Sequence, residues 1–548
     1  MRIFLIPAVL FLILYKQAYV FCYDINDDAE WVVSPKLDPT AATRKPKLLT
    51  GIVQVRLLGR TPYVRLIVTR PGYERSFYIY SEQQIELPVG DYTFMTEGGP
   101  WRSSRPIFKN IEANQITHIE CIMFDRPAIE PQGWFFFDPW VDGGNLFRTR
   151  EQWGIAGSAE GLGWLGGESI PDGDTNPELC QLISAKQYKF SHNNAIYALW
   201  QNEIPSKLPV NAGASLFMVS NLGGFSVIAH PAGFADGTGV WDMLIPHTLA
   251  GPIYDAIDVS REEDLQIWLT LLNLGWRIPA VAGGPTANTN DNIPHGRMLV
   301  MLPPDGGNSD RLIDSLQKGK SIITTGPLIS MTIGSYKIGD TIPTSNETWT
   351  LRLAILKSAY NDDQFDRFEI VYNGEIIDSK RFNDSRDDFK VSSVDTQAEY
   401  IKQVTLNKPG YILARYYGGV HTAVTQPIWI GNEKKNSRSA LVFVRSKNKQ
   451  GIHVSGRVDV LYGGVVKQKK QFDRQGVFVQ APLLSRLRVI SESGKSIEYD
   501  ICRDTEIGKY LRSLQDSGQL SAALATKEAY IKVEKMLAEL SLNVVFPD

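Results

Sequence analysis

The sequence predicts a multidomain fold of mixed α/β and β character: a distorted β/α barrel flanked by β-sandwich domains, with a C-terminal helix. Three observations predict it. The chain has 548 residues, several times the common domain length of roughly 150. Short runs rich in β-branched and aromatic residues alternate with turn residues over 49–124 and again over 349–501. Residues 254–282 instead read strand, helix, strand, the pattern that makes neighbouring strands parallel.

Taken in order, Arg2 and the apolar run 3–15 read as a secretory leader, too short for a span of ~20 residues. Cleavage is expected between residues 18 and 24, with an uncleaved N-terminal anchor as the alternative. The expected divisions are a signal peptide at 1–22, a polar linker at 23–47, an N-terminal β-sandwich at 48–130 and the barrel at 131–345. A β-sandwich at 346–431, a C-terminal β domain at 432–503 and a helical tail at 504–548 follow. In the barrel, Ser260 and Glu263 have the spacing of a capping box, and Leu265, Trp268, Leu269 and Leu272 mark one helical face. The tail carries a helical apolar pattern from Ile507 to Leu540 that suits packing on the last β domain, a partner helix being the alternative.

Composition excludes several classes. Hydrophobic residues at 43% and charged residues at 21% describe a globular chain, neither collagen-like nor disordered. The formal charge of −3 becomes −5 once Arg2 and Lys16 leave with the leader, so nothing favours nucleic acid as a partner. No transmembrane segment is expected beyond the leader. Cys121, Cys180 and Cys502 are too few and too scattered for a disulfide framework or a cysteine metal site. The export signal places the protein outside the cytoplasm: secreted, periplasmic or at the cell surface.

A set of blocks in fixed order carries a resemblance. They are residues 86–93 (Glu-Leu-Pro-Val-Gly-Asp-Tyr-Thr), Gly99-Pro100, Gly133-Trp134, residues 228–231 (Ile-Ala-His-Pro), 268–275, Ala282-Gly-Gly284, Gly319 with Thr324-Thr-Gly-Pro327, and residues 425–429 (Thr-Gln-Pro-Ile-Trp). Over residues 46–431 they resemble the CehA/McbA-type metallohydrolases, a branch of the PHP (polymerase and histidinol phosphatase) superfamily. The resemblance implies a PHP-like distorted β/α barrel whose strand ends hold divalent metals through His, Asp and Glu, with a metal-bound water as nucleophile.

Carried over residue by residue, that implied site is degraded. The family's Asp-x-His-x-His falls on residues 138–142, which puts Trp140 and Asp142 at the histidine positions. Its Gly-Ser-Asp-x-His falls on residues 283–287, which puts Pro285 and Ala287 at ligand positions. An indole, a proline and an alanine offer no side-chain lone pair to a metal. Asp142, Glu168 and His230 remain as candidate ligands, with His192 as a possible fourth; His295 and Asp291 lie in loops of the same region. Three protein ligands and a water would suffice for one zinc or manganese. The bland reading of His230 is a hydrogen-bonded histidine in a dry pocket, and of His192, His247 and His295 a loop histidine.

Other chemistries find no foothold. There is no Gly-x-Ser-x-Gly elbow, phosphate-cradling Gly-x4-Gly-Lys loop or His-Glu-x2-His. Asp236, Asp242 and Asp255 could suggest glycosidase work but equally loop solvation. Trp134-Phe135-Phe136-Phe137, Trp140, Trp153 and Trp164 are core, or a pocket rebuilt to stack on a sugar. The expectation is therefore an exported, non-catalytic binding or structural scaffold without cofactor, taking a small-molecule, carbohydrate or protein ligand. The alternative is a metal-dependent hydrolase of phosphoester or ester bonds with a reduced mononuclear site. An adhesive cell-surface protein is a third class with no motif of its own.

Overall fold

The computed structural model describes residues 49–546 with interruptions, the longest at 201–211, 232–248 and 284–296. Among the described residues there are thirty-six strands and six helices. The expected PHP-like β/α barrel is thereby overturned: the chain is mostly β, and its central sheet is mixed. A β/α barrel requires a helix after each strand and a closed ring of parallel strands. Here the strand that follows Gln181–Lys189, Ala195–Trp200, pairs with it antiparallel, and Arg297–Met301 inserts antiparallel between Trp134–Val141 and Ser321–Thr324.

The first layer lies at residues 50–125. Thr50–Leu58 pairs antiparallel with Glu82–Pro88 and parallel with Ile116–Asp125, while Tyr63–Arg70 lies between Tyr73–Tyr80 and Gly90–Glu97. Alternation turns Val53, Val55, Val64, Leu66, Val68 and Phe94 into a core of their own. One buried joint ties this layer to helix α1 (Arg150–Ala159), which opens on a Thr149/Gln152 capping box. Arg65, 3% exposed, pairs with Glu97 and, at 3.1 Å, with Glu160 just past the end of α1; Tyr78 donates to the same Glu160 oxygen at 3.2 Å. Gly99 shows why this joint needs glycine: at φ +78°, an added Cβ would lie 2.6 Å from the Glu160 carbonyl oxygen.

The central sheet has fifteen strands. In its curled part, from Ala280–Val281 to Ser321–Thr324, seven run the same way: Trp134–Val141, Trp164–Gly167, Gln181–Lys189, Phe225–Ile228, Ala256–Asp258, Ala280–Val281 and Ser321–Thr324. Helix α2 (Ala212–Asn221) precedes the fourth, and helix α3 (Glu262–Asn273) crosses from the fifth to the sixth. That strand, helix, strand unit is present as expected, with Ile257 and Ala280 paired in parallel. Its helix starts differently: Arg261 is the N-cap, with no side-chain cap bond. Trp268 is fully buried, and its indole N–H donates to the Ile278 carbonyl at 2.9 Å.

One face of this sheet closes on itself. Phe137, Trp164, Ile183, Leu199, Phe225, Val227, Ala256, Val281, Met298 and Val300 form a single cluster, joined by Leu312, Ile313 and Leu316 of helix α4 (Ser309–Gln317). Among the described residues, the end strand Ala280–Val281 has no further strand beside it. The buried side chain of Gln426 takes that place, accepting from Ala280 N at 3.1 Å and donating to Ala280 O, while its own N–H bonds Ser321 O. A side-chain amide thus completes a ring that the backbone leaves open.

The sheet then runs on into the next layer through Ser321–Thr324, His421–Thr425, Gly410–Gly418, Arg367–Tyr372 and Glu375–Arg381. A separate five-stranded sheet that includes Leu328–Ile333, Thr348–Leu356 and Gln397–Thr405 covers it. The C-terminal part has two four-stranded sheets, followed by helices α5 (Glu506–Asp516) and α6 (Lys527–Leu537). The expected C-terminal helix is therefore two helices and a last strand. Leu540–Val545 pairs parallel with Ser439–Lys447, because Leu540, Leu542 and Val544 alternate inward. No helix among the described residues is long and apolar enough to cross a membrane.

Candidate functional site at the carboxyl rim of the central sheet

Seven strands running one way bring seven carboxyl ends to one rim, and in open or curled α/β sheets that is where ligands bind. The amino end is plugged instead. α4 packs beneath the inner cluster, Gln317 donates to Asp255 Oδ1 at 3.2 Å, and Asp255 Oδ2 accepts from Ser226 N and Oγ at 2.8 and 2.9 Å. Asp255, one of the carboxylates considered for glycosidase work, is thus tied up in holding two strands together.

At the rim, the best-defined group is Asp258, the last residue of Ala256–Asp258. Alternation turns Ala256 into the inner cluster, so Asp258 shares its face, 2% exposed. Its Oδ1 accepts from Ser260 N at 2.9 Å and from Ser260 Oγ, and that hydroxyl also lies 2.8 Å from the Gly283 carbonyl oxygen, beyond the next strand. Ser260 therefore links two neighbouring strand ends, which is why it does not cap α3. Asp264, fully buried, is held by Arg261 in a two-pronged pair at 2.9 and 3.2 Å. Burial, and next the charge of Asp264, push the Asp258 carboxyl up to about 8, so it carries its proton at neutral pH.

Further along the rim, Thr324 Oγ1 accepts from Gly326 N at 2.9 Å and donates to Pro327 O, which makes the Thr-Thr-Gly-Pro block a tight turn. His421, 4% exposed, sets Nδ1 3.1 Å from Thr325 O. In Gly166, a Cβ would meet the Pro139 carbonyl oxygen at 2.0 Å, at the register shift between Trp164–Gly167 and Trp134–Val141. Of the aromatic residues, Phe136, Phe137, Trp153 and Trp164 are buried core, and Trp134 and Phe135 are partly buried and packed against it. Cys121, Cys180 and Cys502 are free and buried; burial pushes the Cys121 thiol up to about 11 and the other two upward.

Of the residues singled out by sequence, Asp142, Glu168, His192, His230, Pro285 and Ala287 lie outside the described residues, and so do Asp236, Asp242, His247, Asp291 and His295. Trp140 lies in Trp134–Val141, its side chain outside the description. What is described is the strands leading to them: those before Asp142, Glu168, His230 and Pro285 all end on the same rim. Sequence reasoning missed Asp258 and Gln426. The available signals were a carboxylate ending a buried run two residues before a serine, and a glutamine following a β-branched strand.

No protein-family model and no curated protein matches the chain. Among solved structures, the alignment with the major pilin subunit BcpA of Bacillus cereus has 5% identity over 91% of this chain and 99% of the other, at a TM-score of 0.19. Dimeric latent PorU of Porphyromonas gingivalis aligns at 13% identity over 31% of this chain and 20% of its own, TM-score 0.14. A DUF3823 family protein from Bacteroides ovatus aligns at 7% identity over 70% and 100%, TM-score 0.12. Overlaps of this size define no common fold.

Proposed function

We propose that the protein is an exported, non-catalytic binding or structural scaffold whose ligand surface is the carboxyl rim of the curled sheet. The observation that carries this reading is Asp258, a carboxyl held neutral at the rim and tied through Ser260 to the adjoining strand end. A neutral acid there leaves this part of the rim without a fixed negative charge, which suits an uncharged polar ligand such as a carbohydrate. It suits a metal poorly, because a carboxylate must lose its proton to ligate. Trp140, Pro285 and Ala287 add no donor, so the side chains available do not fit a multinuclear centre.

A second reading, a mononuclear metal-dependent hydrolase built on Asp142, Glu168 and His230 with zinc or manganese, is favoured by the common rim of the strands that lead to those residues. Metal analysis of protein purified without chelators separates the two. The scaffold reading expects no stoichiometric metal, no Zn²⁺- or Mn²⁺-dependent rise in melting temperature, and binding of a neutral glycan or peptide that weakens on Asp258→Leu. One tightly held equivalent, lost together with phosphoester or ester hydrolysis in His230→Ala, would overturn it.

A further inference from the structure

Among the described residues, Val465–Phe472 is an edge strand, paired only with Gly456–Tyr462 in a four-stranded sheet. A strand in a sandwich normally buries one of its two faces. Here residues 465 to 471 are all exposed, Val465 at 57% and Val466 at 36%, so the strand overhangs its sheet, with Lys470 Nζ reaching the Phe478 carbonyl at 2.8 Å. It carries Lys467, Lys469 and Lys470. It also sits in the basic part of an acidic chain. Residues 432–548 hold 20 Lys and Arg against 13 Asp and Glu, whereas residues 1–431 hold 37 against 47.

The same chain contains a segment of opposite character. Residues 24–30 (Asp-Ile-Asn-Asp-Asp-Ala-Glu) have four acids and no base, and Trp31, Val32 and Val33 follow. They lie outside the described residues. We propose that residues 24–33 dock on Val465–Phe472 as an added antiparallel strand, which extends the sheet by main-chain hydrogen bonds. With Val33 opposite Val465, Val32 meets Val466, Trp31 meets Lys467, and Asp28 meets Lys470. Apolar positions face apolar ones, an indole faces an ammonium, and a carboxylate faces an ammonium. Lysines on an edge also serve to keep other strands away. That role alone gives no reason for two exposed valines beside them, and a partner rich in acid is the one such an edge admits.

The test compares the chain from Asp24 with one that starts at Ser34, using a labelled peptide of residues 24–33 as probe. The peptide should bind the shorter chain, more weakly as salt rises, and fail to bind the longer one, whose edge is already filled. Lys467→Glu, Lys469→Glu and Lys470→Glu together, on an exposed strand whose folding is checked by its melt, should weaken binding about tenfold. A peptide with Asp27, Asp28 and Glu30 changed to Lys should restore it. Amide exchange over residues 465–472 should be slower in the longer chain. Sedimentation then shows whether the strand comes from the same molecule or a neighbour, either being the proposed pairing. Equal binding of a scrambled peptide of the same composition, or unchanged exchange at 465–472, would overturn the proposal.

Discussion

At Asp258 the folded protein holds a proton that the unfolded chain gives up, and this fixes the sign of a pH dependence. The carboxyl titrates near 8 when folded, against 3.8 as a free group. Between those values the native state binds the extra proton, so this site's contribution is fully present below pH 3.8 and lost as pH rises through 8. The slope is about 1.4 kcal/mol per pH unit at most. Asp258→Asn, which keeps the acceptor for Ser260 and removes the titration, should lose less stability than the native chain between pH 5 and 9. Urea melts at four pH values across that window check it, and parallel curves would refute the assignment. At Arg65, truncation to Ala leaves Glu97 and Glu160 facing each other in a buried joint. Breaking such a pair costs about 3–5 kcal/mol, and equilibrium unfolding of Arg65→Ala should show it, with the reference Arg56→Ala, exposed and opposite Glu120, near zero.

Elements show where local pattern ends and tertiary context begins. Gln426→Ala would strand the N–H and C=O of Ala280 in a fully buried place. Each unsatisfied buried group costs about 1–3 kcal/mol, so a loss of roughly 2–5 kcal/mol is expected by chemical denaturation, together with faster amide exchange at Ala280 and Val281. A loss below 1 kcal/mol would mean that the ring does not depend on this side chain. The sequence showed the 256–258, 262–273 and 280–281 unit because period-2 and period-3.6 runs follow one another there without a break. It hid Gln426 because a side chain standing in for a strand has no periodicity. It misled at Ser260, whose spacing to Glu263 suits a cap but whose hydroxyl finds Asp258 and Gly283. The barrel failed as an expectation for a related reason: strand direction depends on long-range pairing, and Ala195–Trp200 and Arg297–Met301 look the same in sequence whichever way they run. In the tail, helical spacing through Leu537 was legible, but the change to alternation at Leu540 is only six residues long. Of the candidate site, the sequence gives residue identities at the rim, and the structure gives the strand directions that gather them.

For the whole molecule, the distribution of cores predicts how it melts. Most of the N-terminal layer's core is its own, with only Tyr78 and Trp101 of its buried residues joining the cluster of the central layers, whereas the central sheet shares clusters broadly with the layers that follow it: Phe136 and Leu299 with Ile355 and Tyr416, and Ile257 and Trp268 with Val442 and Tyr530. Calorimetry should resolve two transitions, a small one for residues 50–125 and a large one for the rest; a separate melt of the C-terminal sheets would contradict this. The parallel pairing of Ser439–Lys447 with Leu540–Val545 has a mechanical consequence. The chain enters this part at the start of one strand and leaves at the end of the other, so tension between the two tethers slides the strands past each other instead of peeling them apart. All the rungs between Val442 and Lys447 then resist together, and single-molecule pulling across residues 439 and 545 should meet one high force peak rather than a series of small ones.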